Sequence, residues 1–311
     1  MTSGSGPTRK EFLQAVTGLV MIPVLPAAER RQPGGQPKVL MVVAHPDDEY
    51  AFAATAYRIT RELGGIADQV VITNGEAGYR YSALAESIYG VSLTRESDGR
   101  AHLPAIRKAE TLRAGEILGI RQHHFLNQHD AGFADNAAEA STGNWDRHHI
   151  LSTLSSLLDR ERYDFVFTLL PTAHTHAHHR AAAELVLEAV SHMPETERPA
   201  VLGADPGSKQ DDAERFAGMA SAPLTATLAE TPAVTFDRTT SFGYRDALNY
   251  QIIVNWVIAE HKSQGLFQSD YGRHDVERFW LFAVSGEPSR VRTAQLGEQL
   301  KHAPNQLAVA R

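Results

Sequence analysis

Apolar and polar positions along the chain fall into blocks, each of a length that suits one element. Val39–Val43 is an unbroken apolar run of strand length, the mark of a central parallel strand covered on both faces. Glu49–Leu63 reads as a helix closed by Gly64-Gly65, and "QVVITNG" (69–75) as a second strand running into a glycine turn. Residues 76–103 are polar, contain several tyrosines and are weakly periodic, which predicts a long loop or lid. Pro104 suits the first position of a helix, "PAIRKAETLRAGEILG", which precedes a short strand at 123–126.

A helix is expected over 148–161, then a strand in "DFVFTLLP" (164–171). The helix at 178–190 follows, with Leu185, Val186, Ala189 and Val190 on one face. "PAVLGA" (199–204) fits a fifth parallel strand; 205–224 is loop-like, 225–237 suits a strand pair, and 245–264 a long helix. Strands alternating with helices predict one doubly wound, mainly parallel α/β sheet, Rossmann-like, with helices on both faces.

In such a sheet, ligands bind beyond the carboxyl ends of the strands. "AHPDDE" (44–49) follows the first strand and "TAHTHAHH" (172–179) follows the strand at 164–170, so topology brings both polar clusters to one rim. Crowded carboxylates at the end of a buried strand need solvent, a partner or a cation. His45 and Asp48, three apart at a strand-to-helix turn, together with His179 at the start of a helix, offer three N/O ligands. A fourth, open position would make this a catalytic zinc site. Asp47, adjacent but not a ligand, is placed to take a proton from water that the ion polarises. The plainer alternatives are helix-capping acids at 47–49 and an ordinary histidine-rich turn; the two clusters on one rim argue against both.

Composition narrows the chemistry. Of the 311 residues, 42% are hydrophobic and 22% charged, enough to bury a full core. Thirty Lys and Arg against 37 Asp and Glu give a formal charge of -7, and without a basic block nucleic acid is not an expected partner. There are no cysteines, so a metal must be held by His, Asp or Glu. Residues 1–37 stand apart: a basic start, an apolar middle and small residues near the end suit a signal peptide, Arg9-Lys10 followed by Phe12-Leu13 resembles a degenerate twin-arginine export signal, and "QPGGQP" (32–37) is a linker. The expectation is an exported protein with one folded domain over 38–311; an amphipathic helix in a cytoplasmic protein is the alternative. No other segment approaches the ~20 apolar residues of a membrane span.

"AHPDDE" with a later His-x-x-His, here His176 to His179, resembles the PIG-L/LmbE-like zinc-dependent N-deacetylases. "TNGEAG" (73–78), "RKAETLRAGEILGI" (107–120), "HHFLNQHDAG" (123–132) and "HKSQ" (261–264) extend the likeness over about 38–285. The resemblance implies one zinc ion per chain on His45, Asp48 and His179, with Asp47 as general base. It implies His176 as an acid or as a stabiliser of the tetrahedral intermediate, and Asp130 as a group that binds sugar hydroxyls. Arg80, in the expected lid, is a further substrate candidate. The implied reaction is removal of acetyl from an N-acetylglucosamine-type sugar or glycoconjugate.

One motif departs from the pattern. Where the family has His-Pro-Asp-His, this chain has Ala177 and His178 in place of Pro and Asp. His174, His176, His178 and His179 then offer several registers for a ligand, of which the helix start and the following "RAA" favour His179. Competing functions are a zinc hydrolase of another acyl amide, a non-catalytic sugar-binding relative, and a phospho-receiver domain. The receiver would need neither this length nor a histidine cluster.

Overall fold

A computed structural model describes residues 35–132, 145–265 and 273–301. The expected export segment, except for the end of its linker, lies outside them. From Gln36 onward the chain forms one unit.

β1 (Lys38–Val43) is the axis of the sheet. Val39, Met41 and Val43 enter one apolar layer, while Leu40 and Val42 enter the other. That is why the run has no polar gap: both faces are covered. A helical segment follows, passing from a 3-10 turn (Asp48–Phe52) through α1 (Ala53–Tyr57) to a π turn (Arg58–Glu62). The chain continues with β2 (Ile66–Thr73), α2 (Glu86–Tyr89), α3 (Glu96–Leu118), β3 (Ile120–Gln128) and α4 (Arg147–Glu161). Next are β4 (Phe165–Leu169), α5 (Ala177–Ser191), β5 (Ala200–Ala204) and β6 (Val234–Asp237). The short pair β7 (Ser241–Phe242) and β8 (Leu248–Asn249) leads to α6 (Tyr250–Glu260), β9 (Val276–Leu281) and α7 (Pro288–Lys301).

Among the described residues the main sheet has seven strands, in the order β3-β2-β1-β4-β5-β9-β6. β3 through β5 pair in parallel, whereas β9 runs antiparallel to both β5 and β6. One face is covered by α1, α3, α6 and α7 through residues such as Ala53, Leu118, Val254 and Leu296. α4 and α5 cover the other, through Ile150, Leu154, Leu185 and Val186. Glu277 on β9 ties the segment after β1 to the far edge. Its carboxylate accepts the N–H groups of Ala54 and Thr55, both at 2.9 Å, and pairs with buried Arg238 at 3.0 Å. Among the described residues, no helix is long and apolar enough to cross a membrane.

Several expectations are corrected. Pro104 does not open its helix: α3 begins at Glu96 and Pro104 lies inside it. The missing proline N–H leaves the Arg100 carbonyl without its intrahelical bond, while Glu96 and Asp98 in the first turn favour a start there. The stretch 76–103 is a chain of short helical turns and α2 before α3, rather than an open loop. Only 234–237 of the proposed strand pair forms a strand; Thr227 makes a single bridge to Phe282. The long helix at 245–264 starts only at Tyr250 and ends at Glu260, followed by a 3-10 turn.

Candidate active site

The strand order reverses between β1 and β4: β2 and β3 extend one way from β1, β4 and β5 the other. A crevice opens at such a reversal because the two connections leave in opposite directions. The segment after β1 and the start of α5 after β4 meet there.

The structure brings His45, Asp48 and His179 together. His45 Nδ1 lies 2.9 Å from His179 Nε2, which lies 3.0 Å from Asp48 Oδ1. His45 Nδ1 is 3.7 Å from Asp48 Oδ2. Donor atoms of the three fall within 4.8 Å of one another. Ligands about 2.0–2.1 Å from a tetrahedral ion lie about 3.3 Å apart, so this set fits a small divalent cation with little rearrangement. Asp48 is held before any ion arrives, since its Oδ2 accepts the N–H of Ala44 at 3.1 Å and of His45 at 2.8 Å. Burial opposes its charge, but the His179 and His45 rings hold its carboxyl well below the usual range.

Asp47 stands beside this set in a backbone conformation of φ 121° that L residues rarely adopt. Such a residue costs about 1–3 kcal/mol and persists where its surroundings over-determine it. Here they do. Arg107 Nη2 meets Asp47 Oδ2 at 2.9 Å and also donates to the Pro46 carbonyl, while Nη1 donates to the Gly75 carbonyl at 2.6 Å. Gly75 (φ 67°) leaves room for that guanidinium: a Cβ there would come within 2.3 Å of Arg107 Nη1. The Asp47 N–H donates to Glu49 Oε2 at 3.2 Å, and Glu49 Oε1 is 2.6 Å from His261 Nε2. Burial pushes the Asp47 carboxyl up to about 6, against the pull of Arg107.

Of the remaining predicted residues, His176 caps α5: its Nδ1 accepts the His178 N–H at 3.3 Å. In the neutral ring this puts the proton on Nε2. Burial and the neighbouring His45 and His179 rings push its pKa down to about 4, so near neutral pH it is a neutral hydrogen-bond donor. Asp130, buried after β3, accepts the Gly132 N–H at 2.9 Å and faces His178 Nδ1 at 3.5 Å. Arg80 is exposed; its guanidinium lies over the Tyr79 ring, 5.4 Å from the centroid, and its Nε donates to the Tyr79 hydroxyl at 3.1 Å. His174 is exposed, and His178 is buried against the other nitrogen of His45, Nε2 to Nδ1 at 3.0 Å.

The site groups His45, Asp47, Asp48, His176, His179 and Asp130 line one cavity of about 360 Å³, with Arg80 and Arg100 also on its wall. That is within the ~300–1,000 Å³ of small-molecule sites. Sequence reading gave no role to Arg107 or Glu49. Arg107 opens "RKAETLRAGEILGI" (107–120), but nothing local says that a helical arginine turns inward. The signal for Glu49 was its place in the acidic run; its partner His261 is 212 residues away.

Residues 40–190 match the family described as "PIG-L: GlcNAc-PI de-N-acetylase". The matched segment is just under half of the chain. The chain is similar to a probable N-acetyl-alpha-D-glucosaminyl L-malate deacetylase 2 of Bacillus cereus, 27% identical over 163 residues (52% of this chain, 65% of the relative). It is 33% identical over 162 residues (52% and 62%) to the protein of the same description from Bacillus anthracis. The match thus spans less than two thirds of either relative. Two solved structures share the fold. One is the N,N'-diacetylchitobiose deacetylase of Pyrococcus horikoshii (TM-score 0.50, 18% identity, 78% of this chain and 83% of that one). The other is GalB, the 4-carboxy-2-hydroxymuconate hydratase of Pseudomonas putida KT2440 (TM-score 0.53, 17%, 79% and 95%). A hydratase on this fold means that function must be argued from the site.

Proposed function

We propose that the protein is a zinc-dependent deacetylase that hydrolyses the acetamide of an N-acetylglucosamine-type sugar or glycoconjugate. The observation that carries this is the pairing of a three-donor set, His45, Asp48 and His179, with a carboxylate that Arg107 holds out of that set. Two imidazoles and one carboxylate suit zinc, which prefers mixed N/O ligands and keeps a position open in catalytic sites. When bound, the ion supplies Lewis-acid polarisation of the acyl carbonyl and of water.

The chain's own groups do the rest. Arg107 engages Asp47 Oδ2, leaving Oδ1 to accept a proton from the attacking water. His176 Nε2–H donates to the oxygen that gains charge as the carbonyl becomes tetrahedral; the capping contact on Nδ1 favours this role over that of an acid. Asp47, once protonated, then returns that proton to the leaving amine. Arg80, Arg100 and Asp130 line the cavity where the remainder of a sugar would lie and offer donors and acceptors for its hydroxyls. Both Bacillus relatives are described as probable N-acetyl-alpha-D-glucosaminyl L-malate deacetylases, which supports this substrate class.

The test is acetate release from a panel of N-acetylated amino sugars by protein stripped with a chelator and reloaded with zinc. Acetate should appear only after reloading. Release of a longer acyl group, with N-acetyl sugars untouched, would move the proposal to another acyl amide.

A further inference from the structure

His45 presents both ring nitrogens to histidines, and the predicted ligand set uses only one of them. Nδ1 faces His179, while Nε2 lies 3.0 Å from Nδ1 of His178. Donor atoms of His45, His176 and His178 also lie within 4.8 Å of one another, and their ring centroids are 5.0–5.3 Å apart. His178 is fully buried, and its Nε2 has no hydrogen-bond partner. Its Nδ1 faces the Asp130 carboxylate at 3.5 Å. These groups come from three separate places: the turn after β1, the start of α5 and the end of β3.

We propose that His45, His176 and His178, with Asp130 beside them, form a second cation position, alternative to the first and selective for nitrogen-preferring divalent transition metals. Two nitrogens 3.0 Å apart share one proton between them, and a cation would take the place of that proton. Ligands on a tetrahedral ion lie about 3.3 Å apart, so a few tenths of an ångström of ring movement opens the position. Three imidazoles and a carboxylate favour Cu²⁺ and Zn²⁺ and disfavour Mg²⁺ and Ca²⁺, which take oxygen ligands. Both positions draw on the one His45 ring, Nδ1 toward His179 and Nε2 toward His178, so the two are alternatives. The position depends on His178, which stands where the resembling family has Asp.

Binding at this position is independent of the deacetylase proposal; its consequence for activity rests on that proposal. A cation here turns His45 away from the first set and draws His176 into coordination, so excess metal should inhibit.

The experiment uses the full chain carrying His179→Ala, which cripples the first set and leaves the second intact. After chelator treatment and dialysis, Cu²⁺ is titrated and followed by electron paramagnetic resonance. The expected result is about one tightly bound equivalent whose hyperfine pattern reports three nitrogens. Adding His178→Asp, or separately His176→Asn, should lower the affinity by roughly tenfold or more and reduce the nitrogen count. Circular dichroism melts establish that each variant is folded, and the second variant stands if one of them is not. No tight copper in His179→Ala, or a nitrogen count unchanged by both added substitutions, overturns the site. In the unmutated protein, excess Zn²⁺ should suppress acetate release, and His178→Asp should relieve the suppression. Three-nitrogen copper without suppression keeps the site and overturns its inhibitory role.

Discussion

Arg107 Nη2 lies 2.9 Å from Asp47 Oδ2, joining the inner face of α3 to the turn after β1 through a pair of which the arginine is buried and the carboxylate half-buried. The same guanidinium binds the carbonyls of Gly75 and Pro46. One side chain therefore fixes a carboxylate, its strained backbone and the turn after β2. Removing it leaves a half-buried carboxylate and two carbonyls without this partner.

Arg107→Met should therefore lower stability by about 3–5 kcal/mol, the usual effect of breaking a buried pair. Arg107→Lys keeps the charge but has one nitrogen for three acceptors. It should remain folded and retain zinc while turnover falls by roughly 10- to 100-fold. Urea unfolding, metal content and acetate release check the three parts. A Lys variant with unaltered turnover would show that Asp47 needs no such support.

His261 serves the same residue through Glu49. Burial opposes the charge on both, yet each partner favours the charged form of the other, raising His261 and lowering Glu49. His261→Ala strands Glu49, which is fully buried, and should cost about 3–5 kcal/mol. His261→Ala/Glu49→Gln removes both charges and should recover part of that stability without restoring turnover, because the hold on the Asp47 N–H is weakened. Equal stability of the single and double variants in urea would contradict the pairing.

The parallel strands and both polar clusters were legible in the sequence because each rests on local pattern: apolar runs of strand length, and chemistry at their carboxyl ends. Pro104 misled because a proline at a helix start and a proline eight residues into a helix look alike in one dimension. The strand Val276–Leu281 was missed because its pattern is interrupted by Glu277 and Arg278, and Glu277 is buried only by virtue of Arg238 and the start of α1. Arg107 and His261 were invisible as supports of the site for the same reason. Their partners are 60 and 212 residues away in sequence, and only the folded chain supplies them.

Acid should loosen the fold at an identifiable place. Glu161 lies 2.7 Å from both Lys38 Nζ and Arg121 Nη2. Burial opposes its charge, but hydrogen bonds from Lys38 and Arg121 bring its pKa down from the usual 4.5 to about 2. Across that interval the unfolded chain binds more protons than the folded one, so stability present above pH 4.5 is lost as pH falls toward about 2. Urea midpoints at about pH 5 and pH 3 should differ less in Glu161→Gln than in the unmutated protein. An identical drop in both would assign the acid sensitivity elsewhere.

The proposed function divides the labour between two adjacent acids: Asp48 would bind the ion, and Asp47 would move the proton. Asp47→Asn keeps the size of the side chain and its capacity for hydrogen bonds, but it cannot accept a proton from water near neutral pH. The direct measurement is zinc content and acetate release on this one variant, with Asp48→Ala beside it. Asp47→Asn should keep its zinc and lose about 10²–10⁴ in turnover, while Asp48→Ala should lose both zinc affinity and activity. An Asp47→Asn protein that sheds its zinc, or one that keeps its rate, would contradict the account.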